Sequence, residues 1–225
     1  ITFGCFNNYS KVTDEMLLLW RRLLDDVEGA RLILKSRLFG SEEGRAIAEE
    51  RFWRLGLDVA RIELRGFSSE YLAEYADMDI ALDTFPYTGG LTTCEALYMG
   101  VPVVTRFGTR HGSRFGASLL ANVGLADVCC AQTDDEYVEK AVALAADQES
   151  LAFLRRTLRA RMEASPLMDA ARYMTHLEEA YETIWAHALG EDEGEVRKAL
   201  VPQMQKEADE ACAARDARRL LAAGA

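Results

Sequence analysis

Two threonines and a glutamate follow a pair of glycines in the stretch TGGLTTCE, residues 88–95. One interpretation is a helix cap, in which Thr92 accepts a hydrogen bond from the N–H of Glu95 and the Glu95 carboxylate accepts one from the N–H of Thr92. The other is a binding site, in which the N–H and hydroxyl groups of Thr92 and Thr93 bind a diphosphate. Glu95 would then accept both hydroxyls of a ribose, because phosphates repel a carboxylate. The residue pattern leaves both interpretations open.

Basic residues form two further candidate groups. Lys11 follows two asparagines in the loop after the first predicted strand, where a lysine can neutralise the charge on a departing nucleoside diphosphate. The alternative is an ordinary exposed lysine. His111 lies between Arg110 and Arg114 in the glycine-bearing stretch FGTRHGSRFG, where the cations and the glycines could bind an anion. The alternative is a solvated loop.

The stretch from residue 79 to residue 105 would position the threonines and the glutamate. It reads as a strand at 80–82, a turn-rich loop at 83–90, a helix at 92–99 and a strand at 103–105. At the carboxyl end of a parallel strand, the free N–H groups and the dipole of the next helix favour an anion. We therefore expect a nucleotide-sugar diphosphate to bind at this loop.

The rest of the chain repeats the same alternation of strand and helix, over roughly 130 residues, and so predicts an α/β fold with a doubly wound parallel sheet. The other predicted strands are 2–6, 31–35, 61–64 and 128–130, and the other predicted helices are 13–27, 41–55, 68–76, one ending near 122, 134–146, 149–162 and 169–189. Residues 1–189 are predicted to form one domain. Residues 190–225 are predicted to form a charged hinge and a helical tail.

Composition narrows the class of protein. The chain has 225 residues, 49% of them hydrophobic, which is enough to bury one sizeable core. With a mean hydropathy of -0.11 and no run of ~18 apolar residues, we expect no membrane span. The net charge of -11 argues against a nucleic-acid partner. Five cysteines without C-x-x-C spacing argue against a disulfide framework or a zinc site and favour the cytoplasm. Because the chain opens within a strand and without methionine, we expect it to be part of a longer polypeptide.

Three stretches carry a resemblance to a known family: FGCFNNYSKVTDEML, ADMDIALDTFPYTGGLTTCEALYMGVPVVT and HGSRFGASLL. In order and spacing, from Ile1 to about Gly190, the chain resembles the C-terminal catalytic half of the O-GlcNAc transferase/SPINDLY family, and its details resemble SPINDLY and its bacterial relatives most. The resemblance implies the Rossmann-like C-terminal lobe of a GT-B glycosyltransferase, the lobe that binds most of the donor.

The resemblance also implies an activity and partners. The activity is inverting transfer of a sugar from UDP-GlcNAc or GDP-fucose to Ser or Thr of a protein, without a metal or a cofactor. The partners are the nucleotide sugar, a protein acceptor, an N-terminal GT-B lobe and helical repeats of the parent chain.

By the same resemblance, Lys11 matches the family lysine that stabilises the diphosphate leaving group, and Asn8 lies where a glutamine is found near the phosphates. Thr92 and Thr93 match the threonines at the phosphates, and Glu95 matches the acidic residue on the ribose. Residues 66–69 fall where the family chain runs along the base and ribose. The full set predicted to contact the donor is Asn8, Gly66, Phe67, Ser69, Gly89, Gly90, Thr92, Thr93, Glu95, His111 and Arg114, with Lys11 as the catalytic residue.

The chain departs from the family pattern at two positions. Gly90 and Tyr71 stand where animal members carry histidines, and Leu91 stands in what is a longer run of threonines in relatives. These departures motivate an alternative function, a catalytically inactive nucleotide-binding or protein-docking module of the same fold. A GT-B transferase with a small-molecule acceptor is a third possibility.

Overall fold

Six parallel strands form one sheet in the order β3-β2-β1-β4-β5-β6 in the computed structural model, which describes residues 1–188 and 190. The strands are β1 (Thr2–Cys5), β2 (Arg31–Lys35), β3 (Ile62–Arg65), β4 (Ile80–Leu82), β5 (Val103–Arg106) and β6 (Cys130–Ala131). Each neighbouring pair is parallel. The predicted doubly wound parallel sheet is confirmed, and its strand order is that of dinucleotide-binding α/β folds.

The α-helices lie between strands and after the last strand. They are α1 (Asp14–Asp26), α2 (Glu42–Arg54), α3 (Leu91–Tyr98), α4 (Phe115–Asn122), α5 (Ala126–Cys129), α6 (Asp134–Ala146), α7 (Gln148–Glu163) and α8 (Ala170–Ala188). The compact unit that contains the sheet ends at Ser165, and α8 lies outside it. Among the described residues, no helix is both long enough and apolar enough to span a membrane.

The central strands are apolar throughout because helices cover both faces of the sheet. Ile80, Ala81 and Leu82 of β4 are all buried, as are Val103 and Val104 of β5. No alternation between apolar and polar residues is needed in such strands. The predicted bounds of β2 and β4 are therefore met to the residue.

Side-chain caps distinguish α1, α2 and α6 from α3 and α4. Thr13, Ser41 and Thr133 accept hydrogen bonds from N–H groups in the first turns of α1, α2 and α6. Gly90 and Arg114 precede α3 and α4 and give no side-chain cap. Both uncapped helices follow loops that contain predicted site residues.

One predicted element is wrong, and another is displaced along the chain. The helix predicted over residues 68–76 is a series of turns followed by a short 3-10 helix, Ala73–Asp77. The strand predicted at 128–130 is β6, which begins at Cys130, because the short helix α5 continues to Cys129. The predicted domain boundary at residue 190 stays a prediction, since the rest of the predicted tail, residues 191–225, lies outside the described residues.

Candidate functional site

One buried carboxylate joins the carboxyl ends of three strands. Asp83 follows β4 and is 2% exposed. Its Oδ1 accepts hydrogen bonds from Asn7 Nδ2 (3.0 Å), the N–H of Thr84 (2.8 Å) and the N–H of Gly89 (2.6 Å). Its Oδ2 accepts one from the Thr105 hydroxyl (2.7 Å). The residues bonded to Asp83 come from the loop after β1, from β5 and from the loop between β4 and α3.

Burial raises the pKa of the Asp83 carboxyl above its usual value, although its four hydrogen bonds oppose that rise. The backbone carbonyl of Asp83 also accepts a hydrogen bond from the Tyr137 hydroxyl (3.0 Å), which itself accepts one from the Trp20 indole (3.2 Å). Sequence reasoning missed Asp83 as a site residue. The available signal was an acidic residue directly after a fully apolar strand.

Asn7 connects this carboxylate to α3. Asn7 Nδ2 donates to Asp83 and to Thr84 Oγ1 (2.9 Å), so Asn7 Oδ1 faces away from them and accepts from the Thr92 hydroxyl. The proton of the Thr92 hydroxyl is therefore used inside the protein. Asn8, which was predicted near the phosphates, is exposed and accepts from the N–H of Ser10 (3.1 Å), capping the 3-10 helix Tyr9–Lys11.

The helix-cap interpretation of Thr92 and Glu95 is wrong. The residue that precedes α3 is Gly90, so Thr92 already lies within the helix. The Glu95 carboxylate accepts the Tyr71 hydroxyl at Oε1 (2.8 Å) and the Tyr75 hydroxyl at Oε2 (3.1 Å). The hydrogen bond to Glu95 raises the pKa of Tyr71, while burial and then Glu95 raise that of Tyr75.

Lys11 lies across the loop between β4 and α3. Its Nζ donates to the carbonyl of Thr88 (3.1 Å) and lies 3.9 Å from the centroid of the Tyr87 ring. The ammonium group is thereby held beside the loop that leads into the uncapped start of α3. Lys11 and the loop before Thr92, which the sequence presented as separate candidates, are therefore adjacent in the structure.

The glycines of this loop differ in their surroundings. A Cβ on Gly89 would lie 2.5 Å from Thr93 Oγ1 and 2.9 Å from Asn7 Oδ1, so only glycine fits there. A Cβ on Gly90 would meet no atom within 4 Å. Thr93 is 2% exposed and packs behind Gly89. Of the two predicted threonines, Thr92 is the more accessible.

The segment with His111 and Arg114 packs on the same loop. Thr88 donates to the carbonyl of Gly112 through both its N–H (3.0 Å) and its hydroxyl (3.1 Å). His111 contacts the Phe115 ring edge-on, with centroids 4.8 Å apart. The side chains of His111 and Arg114 are exposed, which leaves both able to reach a ligand.

The predicted base segment, residues 66–69, is fixed by an ion-pair network. Lys35 Nζ donates to the carbonyl of Gly66 (2.8 Å) and to Glu74 Oε1 (2.7 Å). Phe67 is 72% exposed, with the Arg37 guanidinium 5.6 Å from its ring centroid, and Ser69 is exposed. Tyr71 and Tyr75 follow this segment and link it to α3 through Glu95. Contact of these residues with a donor stays a prediction.

Acidic and sulfur side chains form no metal site in the described part of the chain. Within residues 1–188 and 190, no three His, Cys, Asp or Glu side chains are grouped so that they could hold a metal ion. Cys5, Cys94, Cys129 and Cys130 are free thiols. The groups that this site offers to a ligand include one ammonium group, an uncapped helix start and a carboxylate with two tyrosine partners.

Comparison with known proteins gives consistent matches. Residues 1–177 match the model of glycosyl transferase family 41. The chain is 41% identical over 210 residues to a probable UDP-N-acetylglucosamine–peptide N-acetylglucosaminyltransferase SPINDLY of Petunia hybrida, covering 92% of this chain and 22% of that protein. It is 30% identical over 188 residues to a UDP-N-acetylglucosamine–peptide N-acetylglucosaminyltransferase of Caenorhabditis elegans, covering 82% and 16%.

Among solved structures, the chain is similar to a mutant of the Thermobaculum terrenum O-GlcNAc transferase. The TM-score is 0.77 at 36% identity, over 83% of this chain and 36% of that one. The chain therefore spans about a fifth of the length of the curated relatives it matches. The fold matches one lobe of a GT-B glycosyltransferase.

Proposed function

Because the chain belongs to glycosyl transferase family 41, we propose that it is the donor-binding half of an inverting protein O-glycosyltransferase. It binds a nucleotide sugar, UDP-GlcNAc or GDP-fucose, whose sugar passes to a Ser or Thr hydroxyl of an acceptor protein. The printed names of the relatives, which are peptide N-acetylglucosaminyltransferases, support the first donor and the acceptor. The residues that bind the acceptor protein, an N-terminal lobe and helical repeats belong to the proposed parent chain.

The observation that carries this proposal is the meeting of Lys11 with the uncapped start of α3. Lys11 Nζ lies 3.1 Å from the carbonyl of Thr88, two residues before Gly90, which precedes the helix. A helix start presents unpaired N–H groups and the positive end of the dipole. An ammonium group beside it completes a site for the two phosphates of a leaving nucleoside diphosphate.

The direction of one hydrogen bond supports different roles for the hydroxyl and the N–H group of Thr92. Its hydroxyl proton goes to Asn7, so the hydroxyl offers a phosphate only lone pairs. The N–H groups at the helix start and Lys11 therefore donate to the phosphates. As the bond between the sugar and the diphosphate breaks, negative charge grows on the departing diphosphate. These donors therefore stabilise the transition state more than they stabilise the bound substrate.

A calorimetric titration of the 225-residue chain with UDP, GDP, UDP-GlcNAc and GDP-fucose tests the proposal. We expect binding that is selective for one base. Lys11→Ala should weaken it by roughly 10- to 100-fold, because a charge-assisted hydrogen bond is lost. Lys140→Ala is the matched control, since Lys140 lies on α6 and pairs with Glu136. Equal affinity of the Lys11→Ala variant and the wild type would contradict the proposal.

A catalytically inactive module of the same fold is the second candidate, and one observation favours it. Leu91, the first residue of α3, is 73% exposed and places an apolar side chain beside the proposed phosphate site. Transfer assays on the full-length parent decide between the two. Sugar transfer that is lost in Lys11→Ala supports the enzyme, and nucleotide binding without transfer from any of the donors supports the module.

A further inference from the structure

We propose that Tyr71 and Tyr75 are positioning residues that hold the Glu95 carboxylate ready for the ribose of the donor. This inference rests on the proposed function, because it assumes a nucleotide with its diphosphate at the start of α3. It goes further by assigning two residues and a specific discrimination, that of ribose against 2′-deoxyribose. Neither tyrosine was predicted to act at the site.

The two tyrosines bond different oxygens of the same carboxylate. The Tyr71 hydroxyl donates to Oε1 at 2.8 Å and the Tyr75 hydroxyl donates to Oε2 at 3.1 Å. A carboxylate that is held at both oxygens cannot rotate freely about its terminal bond. The plane of the Glu95 carboxylate is therefore fixed before a ligand arrives, which lowers the ordering cost of binding.

The count of acceptor positions indicates what the fixed carboxylate can still bind. An ionised carboxylate accepts about four hydrogen bonds, about two at each oxygen. One position on each oxygen of Glu95 is taken by a tyrosine. One position on each oxygen remains, and a pair of neighbouring hydroxyls matches that arrangement. The 2′ and 3′ hydroxyls of a ribose are such a pair, and 2′-deoxyribose lacks half of it.

Tyr75 ties this acceptor to the proposed phosphate site. It is 1% exposed, and its hydroxyl lies 3.3 Å from the carbonyl of Thr92 as well as 3.1 Å from Glu95. Its ring packs on Phe6 with centroids 4.6 Å apart, and Phe6 is the first residue of the loop that leads from β1 to Lys11. A shift of Tyr75 would thus move the ribose acceptor relative to the phosphate donors. Tyr71 is less buried and closes the other side of the carboxylate.

The test compares ribonucleotides with 2′-deoxyribonucleotides on the full 225-residue chain by calorimetry. The probes are UDP with 2′-deoxy-UDP and GDP with 2′-deoxy-GDP, and the measured quantity is the ratio of the two dissociation constants for the base that binds. The wild type should prefer the ribonucleotide by roughly 10- to 100-fold. Glu95→Ala should bring the ratio near one. Tyr71→Phe and Tyr75→Phe should each reduce the ratio by about 3- to 10-fold.

Tyr98→Phe is the matched control, because Tyr98 lies on α3 together with Glu95. Its ring stacks with the Arg159 guanidinium, and its described contacts do not include Glu95. Its ratio should equal that of the wild type. If Tyr75→Phe unfolds the chain, Tyr71→Phe still decides, since Tyr71 is only partly buried.

Equal weakening of both nucleotides in Tyr71→Phe, or an unchanged ratio in it, would overturn the inference and leave nucleotide binding standing. A wild type that binds neither nucleoside diphosphate would overturn the proposed function and the inference together.

Discussion

Replacing Asp83 tests whether one buried carboxylate organises the site. Asp83→Ala removes the acceptor of four hydrogen bonds, and Asn7 Nδ2 alone keeps a second partner, Thr84 Oγ1. Three donors are left without an acceptor: the N–H groups of Thr84 and Gly89 and the hydroxyl of Thr105. At about 1–3 kcal/mol for each buried unsatisfied donor, the gross cost is of order 3–9 kcal/mol. Relief of the desolvation of the carboxylate offsets part of it, so we expect a net loss of about 3–5 kcal/mol.

Asp83→Asn is the matched variant because an asparagine has nearly the same shape. Its amide oxygen can accept from the N–H groups of Thr84 and Gly89, while Asn7 Nδ2 keeps Thr84 Oγ1 as its partner. Its NH₂ group can donate to the Thr105 hydroxyl, which both donates and accepts. The expected loss is about 1 kcal/mol. The free energy of unfolding is measured by urea titration, followed by circular dichroism. Equal losses in Asp83→Ala and Asp83→Asn would refute the reasoning, since hydrogen-bond acceptance would then not be the role of Asp83.

We also predict that the stability difference between the wild type and Asp83→Asn depends on pH. Burial raises the pKa of Asp83 in the folded chain, so between its usual value of 3.8 and the raised value the folded state binds more protons than the unfolded state. Stability from this group therefore falls as pH rises through that window. The free energy of unfolding of the wild type, relative to Asp83→Asn, should increase on acidification towards pH 3.8. If the stability of the wild type relative to Asp83→Asn instead decreased on acidification, the pKa of Asp83 in the folded chain would be lowered and not raised.

Two further predictions concern the loops around the site. Gly89→Ala places a Cβ 2.5 Å from Thr93 Oγ1 and should lower both the melting temperature and the affinity for nucleoside diphosphate. The Cβ of Gly90→Ala meets open space, so this control should change the melting temperature little. Equal changes of the melting temperature in the two variants would contradict this account. Lys35→Met should cost about 1–3 kcal/mol at neutral pH, by urea titration. Burial alone would raise the pKa of Glu74, but the hydrogen bond and charge of Lys35 lower it below 4.5. The stability that this ion pair contributes is therefore present above pH 4.5 and is lost as pH falls through the lowered pKa. A wild-type advantage over Lys35→Met that persists unchanged at lower pH would exclude the pair as its source.

The sequence predicted those parts of the fold that local patterns determine. β2 has three buried apolar residues between Arg31 and Lys35, β4 is apolar throughout, and the predicted bounds of both strands are met. The helix predicted over 68–76 failed because its conformation depends on distant partners. Lys35 bonds Glu74 from 39 residues away, and Tyr71 and Tyr75 bond Glu95 on α3. A local propensity argument has no access to such contacts.

The sequence indicated the loop that carries the candidate residues but not the hydrogen bonds among them. The glycine loop at the end of β4 lies beside Lys11, and its role in binding a ligand stays a prediction. The spacing of Thr92 and Glu95 suggested a cap, but the hydroxyl of Thr92 is taken by Asn7, which is 85 residues earlier in the chain. Asp83 escaped notice because its importance lies in its four partners, and three of those are brought to it by the folded sheet and loop.

The strand order has a consequence for folding kinetics. β1 and β4 are neighbours at the centre of the sheet, with Phe3 paired to Ile80, although 77 residues separate them in the chain. β1, β2 and β3 can pair with one another before β4 joins, because the pairing of β4 with β1 joins residues farther apart in the chain and is expected to form later. Because Asn7 and Lys11 meet the β4–α3 loop only after that step, an early intermediate would possess half a sheet and no ligand affinity. During refolding, recovery of nucleotide binding should therefore lag behind recovery of secondary structure.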